Sequence, residues 1–421
     1  LENTTLNARF AHVGIRGGEQ WPALTDVTGN LQGSLAAARL QVRAGPHSVL
    51  TYPQQFPEPI TLAGSEVDLQ ATFGEQGWQL RSERVDLRSP YLQFNGRFRL
   101  DWPRAQAPWL GILGGINLNQ AAQAWRYYPR GLMGNALTDY LTPTLQAGHV
   151  QGATLVWSGD PLQFPYQGND GVFQVAVPVR QAVFQFDPNW LPLRDLDLDL
   201  LFEDDRLLMH STQARLGAAR ATRIEASIDP LHADANLKID ASVQGRATEV
   251  QYYLTHSPLR DSVGAALQEL QLQGPVKGQL QLSIPLSGAQ ADAKGRVWLD
   301  NNALRLKSLD LVLSGVKGDF RFDNGNLRSQ PLQARLWQQP VTLDFTTRQQ
   351  QQNYTINVGL KGNWLVSQLP QAWNTPLWQQ LSGRLPWQGK VAVQLPASGG
   401  ARYQVNLDGG LGAVRSRLPA P

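Results

Sequence analysis

Strict alternation of apolar and polar residues recurs along the whole chain, and it recurs inside a larger unit that is read three times. Leu196-Asp197-Leu198-Asp199-Leu200, Gln279-Leu280-Gln281-Leu282-Ser283-Ile284, Val341-Thr342-Leu343-Asp344-Phe345 and Tyr354-Thr355-Ile356-Asn357-Val358 each put aliphatic or aromatic side chains on one side of an extended segment and polar ones on the other. Such segments belong to antiparallel sheets with one dry face and one wet face. Turn signals fall between them at hairpin spacing, among them Asp323-Asn324-Gly325-Asn326, Gly74-Glu75-Gln76-Gly77 and Glu203-Asp204-Asp205.

The larger unit is a run of strands, one short amphipathic helix, and a glycine-centred step back into strands. After the helices the chain reads Val150-Gln151-Gly152-Ala153-Thr154-Leu155, Val276-Lys277-Gly278-Gln279-Leu280 and Trp387-Gln388-Gly389-Lys390-Val391, with the glycines 126 and 111 residues apart. A second marker sits within the strands as Leu80-Arg81-Ser82, Met209-His210-Ser211 and Leu327-Arg328-Ser329. This phase divides the chain into residues 1–152, 153–278 and 279–389, with 390–421 opening a further unit. Repetition at a long period points to a stacked, extended architecture.

Helices are few. One is expected from Ser257-Pro258, carrying Leu259, Val263, Ala266, Leu267 and Leu270 on one stripe, and another from Thr375-Pro376 with Leu377, Trp378, Leu381 and Leu385. The first follows Tyr127-Tyr128-Pro129 and carries Leu132, Met133, Ala136, Leu137, Tyr140 and Leu141, ending at Pro143. Some twenty-five strands about 4.8 Å apart would make a sheet on the order of 120 Å across, whereas a helix of about thirteen residues is only about 20 Å long. Three helices cannot cover that face. The sheet is therefore expected to curl into a long open trough, mainly β, or to divide into separate sandwiches with ordinary cores.

The chemistry-bearing residues do not assemble into a site. Basic residues exceed acidic ones by only three among 421, and the thirty arginines are scattered, so no whole-chain field points to nucleic acid. There is no cysteine, which removes disulfides and thiolate metal sites. His12, His47, His149, His210, His232 and His256 never pair at ligand spacing. Asp195, Asp197 and Asp199 imitate the start of a calcium loop, but Leu200 and Arg206 stand where glycine and glutamate are needed. Phosphate-binding glycine spacing and a nucleophile elbow are both missing. No enzyme, cofactor or metal is expected, and no apolar run is long enough to cross a bilayer.

One stretch is more specific than the rest. Tyr127-Tyr128-Pro129-Arg130-Gly131-Leu132-Met133-Gly134, Leu137-Thr138-Asp139-Tyr140-Leu141, Gly148, Gly152-Ala153-Thr154-Leu155-Val156-Trp157, Pro161, Phe164-Pro165-Tyr166 and Gly171-Val172-Phe173-Gln174 resemble the signature region of the YhdP family of AsmA-like proteins. That resemblance implies a Gram-negative cell-envelope protein held in the inner membrane by an N-terminal helix, with a long periplasmic body. It also implies bridge-like lipid transfer, in which phospholipid passes between inner and outer membranes along a repeating β-groove. The chain lacks the anchor and reads as a periplasmic piece of such a protein, so both membranes would be met through regions outside it.

In that reading the acyl chains lie on the dry strand faces, where each buried methylene gains about 0.8 kcal/mol over water. Phe184, Phe186, Leu198, Leu200, Leu280, Leu282, Leu343 and Phe345 are the candidate lining residues. A structural or adhesion rod without lipid cargo would show the same alternation, and a glycan-binding β-protein using its tryptophans is a third reading.

Overall fold

The computed structural model describes residues 5–19, 21–168, 170–232, 234–260, 264–350, 353–369, 379–396 and 400–417. Among them, 26 strands form one antiparallel sheet. Strand follows strand in sequence order: Thr5–Ile15 pairs with Ala23–Ser34, that with Ala37–Ala44, and the ladder continues step by step to Leu381–Leu395 and Arg402–Gly409. Short strands Val49–Thr51 and Ile60–Thr61 branch from the second. The sheet can be a meander because its links are tight. Glu203 pairs with Arg206, Asp323 with Asn326 and Leu216 with Ala219, leaving two-residue turns in which Asp204, Asn324 and Gly217 adopt positive φ. Gln349 and Gln350 likewise end a strand that pairs with the next, with Gln350 opposite Asn353.

Bulges interrupt many strands near their middles, and they keep the faces sorted. A single extra residue would turn every later side chain to the wrong side. Here the inward-facing positions step by three across the bulge instead of two, as in Phe10 to Val13, Val150 to Ala153, Val179 to Ala182 and, with a buried asparagine, Leu299 to Asn302. The extra residue takes positive φ, at His12, Gly152, Gln181 and Asn301. Bulges bend strands and increase twist, which curls the sheet about its apolar face.

The serine marker belongs to the same interruptions. Ser82 and Ser211 are buried, and each donates its hydroxyl to the carbonyl two residues on, Arg84 and Gln213, at 2.9 Å. Ser329, also buried, ends its strand and accepts the Phe345 N–H at 2.8 Å. All three satisfy backbone groups that the broken ladder leaves unpaired.

The helices differ from expectation in three ways. In the first copy Gly134, at φ 78, separates Arg130–Met133 from Asn135–Thr144, and the latter contains Pro143 and runs one residue past it. In the second, the main helix is Ala247–Thr255, upstream of the expected start; the Arg246 N–H donates to Glu249 at 3.0 Å and Tyr253 is buried. Ser257 accepts the Leu259 N–H in a turn, the α-helix Ala265–Glu269 lies beyond it, and Leu270 already begins a strand. Val263 lies outside the described residues. So do Thr375 to Trp378 of the third expected helix, while Leu381 and Leu385 belong to a strand.

Ser211→Ala would remove the part-buried hydrogen bond to the Gln213 carbonyl, at a cost of about 0.5–1.5 kcal/mol. Urea unfolding of the variant should show that loss, and an unchanged midpoint would reject the role given to the serines.

Candidate functional site: the apolar face

Cross-strand register makes the apolar face continuous. Phe10, Gly29, Val42, Val67, Val85, Gly96, Gly114, Leu155, Val175, Phe202, Leu207, Ile228, Leu237 and Ile284 are successive partners across fourteen strands. Beside this row runs another, Val177, Leu200, Met209, Ala226, Ile239, Leu282 and Ala293. Where glycine interrupts a row an aromatic ring fills the space. Phe94 lies over Gly96 and Gly114, Phe10 over Gly29 and Phe322 over Gly295, each so close that a Cβ on the glycine would collide with the ring. Further along, Leu332, Leu343, Leu360, Gly389 and Leu407 continue the pattern to the last long strand.

The face has an open section and a closed one. From Thr5 to about Ile116 its side chains are mainly half-buried or exposed, Leu40, Leu69, Phe94, Phe98 and Ile112 being half-covered, with Val27 and Val85 buried among them. At the strand ends Phe73, Trp78 and Trp102 are 51%, 38% and 38% exposed. Trp78 and Trp102 stack with centroids 5.7 Å apart. From Leu118 to about Val393 the face is largely closed, with Leu207, Leu313, Leu343 and Ile356 at 0% exposure, and it opens again on the last long strand, where Val405 and Leu407 are 51% and 60% exposed. Closure comes mainly from the sheet curling on itself, since strands Val172–Phe184 and Pro275–Pro285, five pairings apart, line one cavity.

That cavity, about 60 Å³, is lined by Phe184, Phe186, Leu198, Leu280 and Leu282 among others. A second, of about 110 Å³, lies under the helices Ala247–Thr255 and Ala265–Glu269, whose Val250, Leu254 and Leu267 roof it. Trp190 and Tyr253 line both, with ring centroids 5.9 Å apart. The Tyr253 hydroxyl donates to the Leu191 carbonyl at 3.1 Å, and burial pushes its pKa up. Trp190 is held by a turn in which its N–H donates to the Asp187 carbonyl, and its own indole N–H is buried without a partner among the described residues.

The structure thus brings five of the eight expected residues around one cavity. Leu200 lies on the same face at an open cleft beyond it, and Phe186 is on the loop after its strand, against Trp190 at 5.5 Å. Leu343 packs opposite Leu332 and Leu360, and Phe345 opposite Val358 with Phe320 5.6 Å away, so both are buried in close packing. The uncovered section, with Phe94, Phe98 and the Phe73–Trp78–Trp102 rim, supplied none of the eight. Its alternation is as plain as elsewhere, at Leu92-Gln93-Phe94-Asn95, but exposure is not written in alternation. Asp195, Asp197 and Asp199 are engaged by Arg215 at 3.3 Å, the Gln181 N–H at 3.1 Å and Arg180 at 2.7 Å.

No helix among the described residues is long and apolar enough to cross a membrane. The family model described as YhdP protein matches residues 2–421. The intermembrane phospholipid transporter YhdP of Escherichia coli (strain K12) is 40% identical over 409 residues, which cover 96% of this chain and 32% of that protein. The chain therefore spans about a third of the length of this relative.

Burial separates the two sections energetically. Leu343→Ala should cost about 2–5 kcal/mol, as deletions in packed cores do, and Phe98→Ala on the uncovered face about 1 kcal/mol or less. Equal losses in denaturant unfolding would show that both sections are packed alike.

Proposed function

The chain belongs to the YhdP family, and on that premise we propose that it is a periplasmic section of a phospholipid conduit between the inner and outer membranes. The observation that carries this reading is the unbroken apolar row across fourteen strands, left uncovered over its first part. Exposed apolar surface on that scale is a binding surface, and acyl chains match its chemistry at about 0.8 kcal/mol per methylene removed from water. Near-equivalent positions repeated from strand to strand let a tail slide without a deep trap, while the headgroup stays on the wet side of the strand ends.

The closed section imposes a condition on passage. Its two cavities are each smaller than the roughly 150 Å³ pocket that holds a benzene, so a tail enters by widening them. The movable parts are those not tied into the ladder: the helix pair carrying Val250, Leu254 and Leu267, and the Phe186–Trp190 loop. Trp190 and Tyr253 then form the constriction between the two cavities. The family resemblance favours no catalytic step, and the apolar rows offer no group that could perform one.

Photo-crosslinking amino acids placed at Phe98 and at Leu282 should capture phospholipid during expression in a Gram-negative host. A charge introduced as Phe98→Asp should abolish capture at neighbouring positions while the chain still melts cooperatively. A load-bearing rod would give no captured lipid at either site, and that result would sink the conduit.

A further inference from the structure

The polar face of the same sheet carries an arginine row that the lipid path does not use. Arg296, Arg321 and Arg328 are direct partners on strands Asp292–Leu306, Leu311–Asp323 and Asn326–Ser329. At about 4.8 Å per strand the row extends roughly 10 Å. Like charges facing each other across a ladder are destabilising, and the nearest carboxylates do not neutralise this set. Asp319 takes both guanidinium donors of Arg296 at 2.9 Å, and that ion pair holds the Asp319 pKa below the usual carboxylate value. Arg321, Arg328 and the nearby Arg348 are exposed, and among the described residues none of them forms an ion pair.

These side chains converge on a cleft. Together they line an open hollow of about 1450 Å³ whose walls carry six cations, Arg223, Lys294, Arg296, Arg321, Arg328 and Arg348, against two carboxylates, Asp240 and Asp323. Lys294 is matched by Asp323 at 3.4 Å and Arg223 by Glu225 at 3.5 Å. The three unpaired guanidiniums stand between them. Amide and hydroxyl groups of Gln279, Thr346, Thr355 and Asn357 complete the lining. On the same strands Val297, Phe320 and Phe322 border the apolar cavity under the helices, and Phe322 also lines this cleft.

We propose that the cleft binds an anion bearing two or more phosphate groups, laid along the Arg296–Arg321–Arg328 row. Guanidiniums pair with phosphate through two parallel hydrogen bonds, and a row of them suits several phosphates rather than one. The hollow is far larger than a single phosphate needs. Phosphates on a membrane surface and phosphates on a soluble polyanion share this chemistry.

The test uses the whole chain with sodium tripolyphosphate in a calorimeter, and with sedimenting vesicles of phosphatidylcholine with and without phosphatidylglycerol. The wild type should bind tripolyphosphate, the anionic vesicles or both, with salt weakening the interaction. Arg321→Ala/Arg328→Ala should weaken that binding about tenfold or more, because the charged hydrogen bonds to phosphate are lost with the guanidiniums. Its melting temperature should hold or rise as the opposed charges are removed. Arg9→Ala/Arg97→Ala, which removes the same charge elsewhere on the polar face, should bind as the wild type does. Binding only to vesicles assigns the site to headgroups, and binding only to tripolyphosphate assigns it to a soluble ligand. Failure of both probes, or equal loss in the two double variants, overturns the proposal without touching lipid capture at Phe98.

Discussion

Register is the constraint on which the rest of this structure depends. A strand's side chains alternate faces, so a pairing slip of one residue would carry its whole apolar set into water. In this sheet short hairpins pin many strands to the one before, longer links that carry the helices join others, and the pairing runs on until Leu237 and Ile284 lie in the same row as Phe10. No single contact in the row is strong. The row is specified because every link offers the same choice between a buried and an exposed face, and every link makes it the same way.

The bulges show how such a sheet can curl without losing that sorting. A flat ladder of this width would leave its apolar face bare, and a ladder bent by random insertions would scramble it. An extra residue at positive φ, paired with a step of three between apolar positions, bends the strand and restores the face. The ladder bonds lost in the process need replacement. Buried serines at 82, 211 and 329 provide it, and Asn302 does similar work, donating to the carbonyls of Gln273 and Pro275 at 2.9 and 2.8 Å. The three-fold recurrence of a Leu/Met-Arg/His-Ser sequence thus has a mechanical cause.

In the conduit we propose, the open and closed sections of one continuous face would serve different parts of a lipid's path. Where the face is uncovered, tails would be received laterally. Where the sheet closes only small voids remain, so movement there would be coupled to the helices and the Trp190 loop. The opposite face has its own logic. Several of its charges are matched in cross-strand pairs such as Arg39 with Asp68 and Arg180 with Asp199, worth little individually at the surface. The opposed arginines at 296, 321 and 328 stand out against that background.

Much of this was legible in the chain. Alternation marked the strands and their dry faces, the two-residue turn signals marked the meander, and the aromatic, proline and glycine words between residues 125 and 190 marked the family. The helix at Ala247–Thr255 was hidden because Val250, Tyr253 and Leu254 have helical spacing over only one turn, while Ser257-Pro258 offered a stronger but local start signal. Leu343 and Leu282 read identically as strand residues, yet one is locked between Leu332 and Leu360 and the other borders a cavity. What the sequence by itself determined is which side of each strand shuns water, because that depends only on the parity of neighbouring residues. Which stretches of that side stay open, and which arginines come to face one another, was decided by the tertiary structure alone, because both depend on how far bulged strands bend and on residues brought together from distant parts of the chain.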